Sequence, residues 1–264
     1  MRKVIVIAML FLSGCFGGWG RFQPDATPGF GRRAVAFEGG IRPYYAYIPV
    51  AAPPKGGFPV VLFLHGGGES GTDPRRPTQV GLGPKIHGDQ GRFPFVVLFP
   101  QCPRGAGWTS PRAEAHALAV LDDALQGLPV DDKRVYVVGN SMGGHGALLL
   151  AARHPTRFAA VVSVAGRAGK TRWFPSPPDA RELPDGDPAA ALASLLAREP
   201  VWLVHGEEDG ITPVDESRRL GAALAAVGAE VRLTIYEGAG HAAAWERAWA
   251  DPAIFTWLAA HALR

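Results

Sequence analysis

The chain has 264 residues, 47% of them hydrophobic, with 27 basic and 24 acidic side chains and a formal net charge of +3. That length and apolar content suit one folded domain with a sizeable core, not a disordered or fibrous chain. The charges are spread along the sequence without a basic block, which excludes a nucleic-acid surface as its organising feature.

At the N-terminus, Arg2 and Lys3 precede an apolar run at 4–12, and "LSGC" ends at Cys15. This resembles a bacterial lipoprotein signal, in which a small residue precedes a cysteine that is lipidated and becomes the first residue after cleavage. An apolar run this short falls well below the roughly 20 residues a membrane-spanning helix needs. A signal is therefore expected over 1–14, with lipid on Cys15. Losing Arg2 and Lys3 leaves 25 basic against 24 acidic side chains, so attachment to a membrane is expected through lipid rather than charge. Only Cys102 then remains free, and no intramolecular disulfide is expected. The expected location is the bacterial cell envelope, facing the periplasm or the exterior.

Residues 15–32 are rich in glycine and proline without periodicity, which suits a tether. A single domain is expected over 33–264. It opens with a hairpin turning at Gly39 and Gly40. Beyond it, β-branched apolar runs at 59–65, 95–100, 134–139, 159–166, 201–206 and 230–238 read as buried strands. Helical patterns cover 112–128, 142–153, 188–198 and 214–227. Strands alternating with helices predict an α/β fold with a mainly parallel central sheet flanked by helices on both faces. The stretch 167–188 carries five prolines and neither period, and is expected as an ordered surface loop near the ligand site.

One motif carries chemistry. Gly139, Asn140, Ser141, Met142 and Gly143 form G-x-S-x-G directly after a predicted strand and before a predicted helix. A turn sharp enough to expose that serine leaves no room for side chains two residues to either side, hence the glycines. A serine hydroxyl is a weak nucleophile until a base serves it. In chain order an acid and then a histidine should follow. Asp209 sits just past the strand at 201–206, and His241 lies on the glycine turn after the strand at 230–238. Glu207 and Glu208 are rivals for the acid. Among the other histidines, His65, His145, His154 and His205 read as structural. Oxyanion donors are expected from the backbone N–H of Met142 and from the glycine-rich loop at 63–73, at Gly67 with Gly68 as the alternative. No H-E-x-x-H, C-x-x-C or S-x-x-K occurs, and "AGK" at 168–170 lacks the first glycine of a phosphate-binding loop because position 164 is valine, so no metal or cofactor is implied.

On "LHGGGESGTD", "FPQCP", "VYVVGNSMGGHGALLLAARHPTRFAAVV", "VHGEEDGITPVDESRRL" and "YEGAGHAAAWERAWADPAIFTWL", the chain resembles secreted bacterial α/β-hydrolase esterases related to polyhydroxybutyrate depolymerases, feruloyl esterases and a group called predicted peptidases. The resemblance implies the α/β-hydrolase fold and a Ser141, Asp209, His241 triad, agreeing with the residue-level choice. The expected function is a serine esterase acting through an acyl-enzyme on a small-molecule or polymer-linked ester. A peptidase of prolyl-oligopeptidase type ranks below it, because 264 residues leave no room for a propeller domain to hold a peptide. A non-catalytic surface-binding protein on the same scaffold is the third alternative. Trp108, Trp173 and Trp245 are candidate substrate contacts, and Trp245, four residues after His241, falls on the same face of a helix as the base.

Overall fold

Strands whose two sides are both apolar have no face to turn to water, so they stack in the middle of the molecule and helices cover them. The computed structural model describes residues 28–91, 93–169, 183 and 186–263. The segment expected as a signal, with Cys15, and the candidate contact Trp173 lie outside the described residues. Among the described residues eight strands form one sheet: β1 (Gly29–Phe37), β2 (Gly40–Ile48), β3 (Phe58–Leu64), β4 (Val96–Phe99), β5 (Val130–Asn140), β6 (Ala160–Val164), β7 (Val201–Gly206) and β8 (Val231–Tyr236). Their spatial order is β1-β2-β4-β3-β5-β6-β7-β8. The pairs β1–β2 and β2–β4 are antiparallel, and every pairing from β4 through β3 to β8 is parallel.

The helices are α1 (Leu82–Gly88), α2 (Pro111–Gly127), α3 (Met142–Arg153), α4 (Pro188–Leu195), α5 (Asp215–Ala226), α6 (His241–Ala250) and α7 (Pro252–Ala259). Alternation along β3 sorts the core into two layers. Val60, Leu62 and Leu64 join the layer built with α2 to α5. Val61 and Phe63 join the other, with Leu82 and Ile86 of α1, Trp249 of α6 and Trp257 of α7. Each such side chain taken fully out of water contributes about 1.5–3 kcal/mol.

The structure departs from the predicted elements at several edges. The first strand begins at Gly29, inside the expected tether, because residues 29–32 pair with 45–48 and Phe30 stacks on His87 with ring centroids 3.9 Å apart. β5 begins four residues before the predicted 134, since Phe58 already pairs with Val130 ahead of a register shift. The helix predicted over 188–198 ends at Leu195, and α1 and α7 were not predicted. In α7 a local signal was available: Asp251 caps it by accepting the Ala253 N–H at 2.9 Å, with Pro252 in the first turn.

Parallel strands end on one edge of a sheet. The loops after β3, β5, β7 and β8 therefore converge, and those loops carry the predicted chemistry.

Candidate active site

The chain turns from β5 into α3 at Ser141, whose φ of 53° and ψ of −115° put a non-glycine residue in a strained region. What holds it there is packing. A Cβ on Gly143 would lie 1.8 Å from the Leu64 carbonyl oxygen, and one on Gly139 would lie 2.4 Å from the Gly143 carbonyl oxygen. Strand, helix and the neighbouring β3 loop thus touch backbone to backbone, as the two motif glycines allow. The Ser141 N–H donates to the Val164 carbonyl at 2.7 Å, tying the turn to β6.

His241 is the first residue of α6. Its Nε2 lies 3.0 Å from the Ser141 Oγ, and its Nδ1 donates to the Asp209 Oδ2 at 2.5 Å. The loops bearing these two side chains are bonded to each other: the Glu207 N–H donates to the Tyr236 carbonyl and the Glu208 N–H to the Ala239 carbonyl, each at 3.0 Å. Gly206 closes the approach, because a Cβ there would meet the Ala239 carbonyl oxygen at 2.3 Å. Burial alone would raise the Asp209 carboxyl. Hydrogen bonds from His205, His241 and the N–H groups of Thr212 and Ile211 outweigh it and hold the group well below the usual carboxylate range. Asp209 is therefore ionised when it meets the imidazole, which fixes the ring with its proton on Nδ1 and its lone pair toward Ser141.

The glycine-rich loop after β3 packs against this turn. A short 3-10 turn, Gly67–Glu69, follows Gly66, and a Cβ on Gly66 would sit 3.8 Å from both the Asn140 carbonyl oxygen and the Trp245 ring. Met142 opens α3, so its N–H belongs to the helix's unpaired, positive first turn. Side chains hold the loop through its carbonyls: Arg76 Nη2 donates to Gly68 O at 2.7 Å and Gln101 Nε2 to Glu69 O at 2.8 Å. His65 braces its start. The ring Nε2 accepts the Cys102 N–H at 3.0 Å, and Nδ1 donates to the Gly66 carbonyl at 2.6 Å. Burial pushes His65 down to about 4, partly offset by the Gly66 carbonyl, so the ring stays neutral in this bracing role.

The structure brings Ser141, His241 and Asp209 together, places the His205 Nε2 3.2 Å from the Asp209 Oδ2 as a brace of the carboxylate, and leaves the rivals for the acid outside. Glu207 and Glu208 are exposed. His145 donates through Nδ1 to the Arg167 carbonyl at 2.7 Å, His154 meets Glu114 at 2.8 Å, and His205 bonds Ser217 and the Thr212 carbonyl. Trp245 stands edge-on to the His241 ring with centroids 4.9 Å apart. Trp108 is a correction to the expected substrate contacts. It is 2% exposed, donates to the His65 carbonyl at 2.9 Å and packs on Gly146, because its indole braces the loop from within the core. Sequence reasoning missed Trp249, whose Nε1 donates to Asn140 Oδ1 at 2.6 Å, and it missed Arg76 and Gln101. These partners lie far apart in the chain, and no spacing signals them. Among the described residues no group of three or more His, Cys, Asp or Glu is arranged to hold a metal.

A serine on a strand-to-helix turn, within reach of an imidazole that bonds a buried carboxylate, is the arrangement that serine hydrolases of the α/β-hydrolase fold carry. The prolyl oligopeptidase family matches residues 115–261, more than half of the sequence, and the chain belongs to it. A protein of Nocardia uniformis subsp. tsuyamanensis named as an esterase, NocK, is 32% identical over 221 residues, covering 79% of this chain and 57% of that protein. A solved thermostable esterase superposes with a TM-score of 0.72 at 25% identity, covering 88% of this chain and 63% of its own. The fluorophosphonate-binding serine hydrolase FphF of Staphylococcus aureus shares the fold, with a TM-score of 0.68 at 17% identity and coverage of 88% and 99%. The chain thus spans somewhat under two thirds of the length of the two esterases.

Proposed function

We propose that this chain hydrolyses carboxylic esters through an acyl-enzyme, with Ser141 as nucleophile, His241 as general base and then acid, and Asp209 as the group that orients His241. The observation that carries the reading is the unbroken line from Asp209 Oδ2 to His241 Nδ1 at 2.5 Å and from His241 Nε2 to Ser141 Oγ at 3.0 Å. His241 removes the hydroxyl proton as Ser141 Oγ attacks the ester carbonyl. The carbonyl π electrons move to oxygen, where the N–H groups of Met142 and Gly67 receive the charge. Collapse expels the alcohol, which takes its proton from His241, and water repeats the sequence to release the acid. Trp245, edge-on to the His241 ring and near Gly66, is the apolar contact this reading assigns to the substrate.

The esterase names of two similar proteins support an ester over an amide. The family match favours peptide cleavage as the second reading. A panel of p-nitrophenyl acetate, butyrate, octanoate and laurate beside an acyl-amino-acid p-nitroanilide separates them. Release from esters above the anilide is expected, lost about a millionfold in Ser141→Ala. Turnover of the anilide alone would move the assignment to a peptidase.

The resemblance to polyhydroxybutyrate depolymerases and feruloyl esterases suggests a polymer-linked or aromatic ester, and the segment ending at Cys15 suggests a lipid anchor in a bacterial cell envelope. Cys15→Ser is expected to move the chain from the membrane to the soluble fraction. Unchanged fractionation would contradict the anchor.

A further inference from the structure

On the β2–β4 side of the oxyanion loop lies a cavity of about 200 Å³ that the triad does not use. Its walls are Phe37, Arg42 and Pro43 from the first hairpin, Gln101 after β4, and Arg112 and His116 of α2. Two of these polar side chains, Gln101 and His116, are each only 7% exposed. Gln101 Nε2 donates to two carbonyls, Glu69 O at 2.8 Å and Cys102 O at 3.2 Å, which settles the orientation of the amide. Its Oε1 is left buried without a partner. The Nε2 of His116 is likewise buried and unpartnered, while the ring packs on Phe37 with centroids 5.3 Å apart. Burial, joined by the nearby Arg42 charge, holds His116 below its ordinary value, and the Gln101 carbonyl lies within reach of the ring N–H. The ring is therefore neutral, and its Nε2 presents a lone pair.

Two buried acceptors without donors carry a desolvation cost unless something donates to them. The charges around them ask for the opposite group. Arg112 is joined to Glu38 at 2.7 Å, whereas Arg42 is exposed and its charge reaches His116. Glu38 and the two arginines thus leave one positive charge over at the mouth. Phe37 and Pro43 add apolar surface. The volume is roughly seven times that of a water molecule, enough for a small single-ring molecule.

We propose that this cavity is a second ligand site for a small hydroxylated carboxylic acid, its carboxylate on Arg42 and its hydroxyl donating to Gln101 or His116. Through Gln101 the site is joined to the oxyanion loop, because the same amide holds the Glu69 carbonyl two residues from Gly67. An occupant that fixes Gln101 steadies that loop. This coupling rests on the esterase reading; the binding does not.

The test is calorimetric titration of the full-length Ser141→Ala protein with 4-hydroxybenzoate, with benzoate and phenol as probes lacking one group each. One saturating site is expected, weakened about tenfold or more by removing either group of the probe and by Arg42→Gln. Arg42 is an exposed strand residue, so this variant keeps the fold. Affinity for 4-hydroxybenzoate weaker than about 1 mM overturns the site, as does binding that Arg42→Gln leaves unchanged. In a separate arm, wild-type ester turnover is measured with and without the probe. A severalfold rise is expected, within the span usual for coupled sites. Unchanged turnover at saturation overturns the coupling, and absence of any ester turnover bears on the esterase reading while the binding result stands.

Discussion

A methyl group at Gly143 tests how closely the nucleophile turn and the oxyanion loop are joined. Its ideal Cβ would lie 1.8 Å from the Leu64 carbonyl oxygen, 2.4 Å from the Leu64 carbonyl carbon and 2.7 Å from the His65 carbonyl oxygen. Real Cβ contacts stay above 3.0 Å, so in Gly143→Ala the start of α3 and the loop after β3 must separate by the difference from 1.8 Å, about 1.2 Å. All three clashing atoms are backbone, so no side chain can rotate away. Those segments carry the N–H groups of Met142 and Gly67, and a misplacement of about 1 Å in a catalytic constellation costs on the order of 100-fold in rate. Overpacking should also destabilise by about 1–3 kcal/mol, seen as a drop of roughly 2–4 °C in Tm for each kcal/mol. The control is Gly88→Ala at the last residue of α1, where a Cβ meets nothing within 4 Å and little change in stability or turnover is expected. Steady-state ester hydrolysis and a thermal melt on both variants decide the matter. Wild-type kcat in Gly143→Ala would refute the reasoning.

Asp209→Asn keeps the shape but removes the charge that orients His241, and kcat is expected to fall about 10⁴-fold. A loss below tenfold would assign the orienting role elsewhere. Stability should also depend on pH. Burial holds both His65 and His145 down at about 4, against 6.5 for an ordinary histidine. Below 6.5 the unfolded chain takes up two protons that the folded chain refuses. Stability is then complete above 6.5 and falls toward pH 4, by at most about 2.7 kcal/mol per pH unit. The depressed Asp209 carboxyl adds to the loss in the same direction at still lower pH. Urea unfolding at pH 7, 5.5 and 4.5 measures this, and a constant free energy across the series would contradict it.

The candidate site was legible in the sequence because its residues sit at strand ends, which hydrophobic runs mark clearly. Ser141, Asp209 and His241 each follow such a run, and parallel pairing brings the ends together. Backbone crowding was legible too, since Gly139 and Gly143 report it directly. The supports were not. Trp108 reads as an aromatic near a loop, and only tertiary packing shows it buried under His65. Asn140 and Trp249 are 109 residues apart, and Gln101 reaches Glu69 across 32. Strand edges were misplaced for a different reason. The polar stretch 131–134 hides the start of β5, and glycines at 29 and 31 disguise β1, although both segments pair in the sheet.

The most direct measurement of the central claim is the site of a covalent adduct. The full-length protein is treated with a fluorophosphonate, digested, and its peptides are weighed. The account predicts one phosphonate on Ser141, formed quickly by the wild type and far more slowly by His241→Ala, whose serine has lost its base. An unlabelled Ser141, or an adduct on another residue, would contradict it.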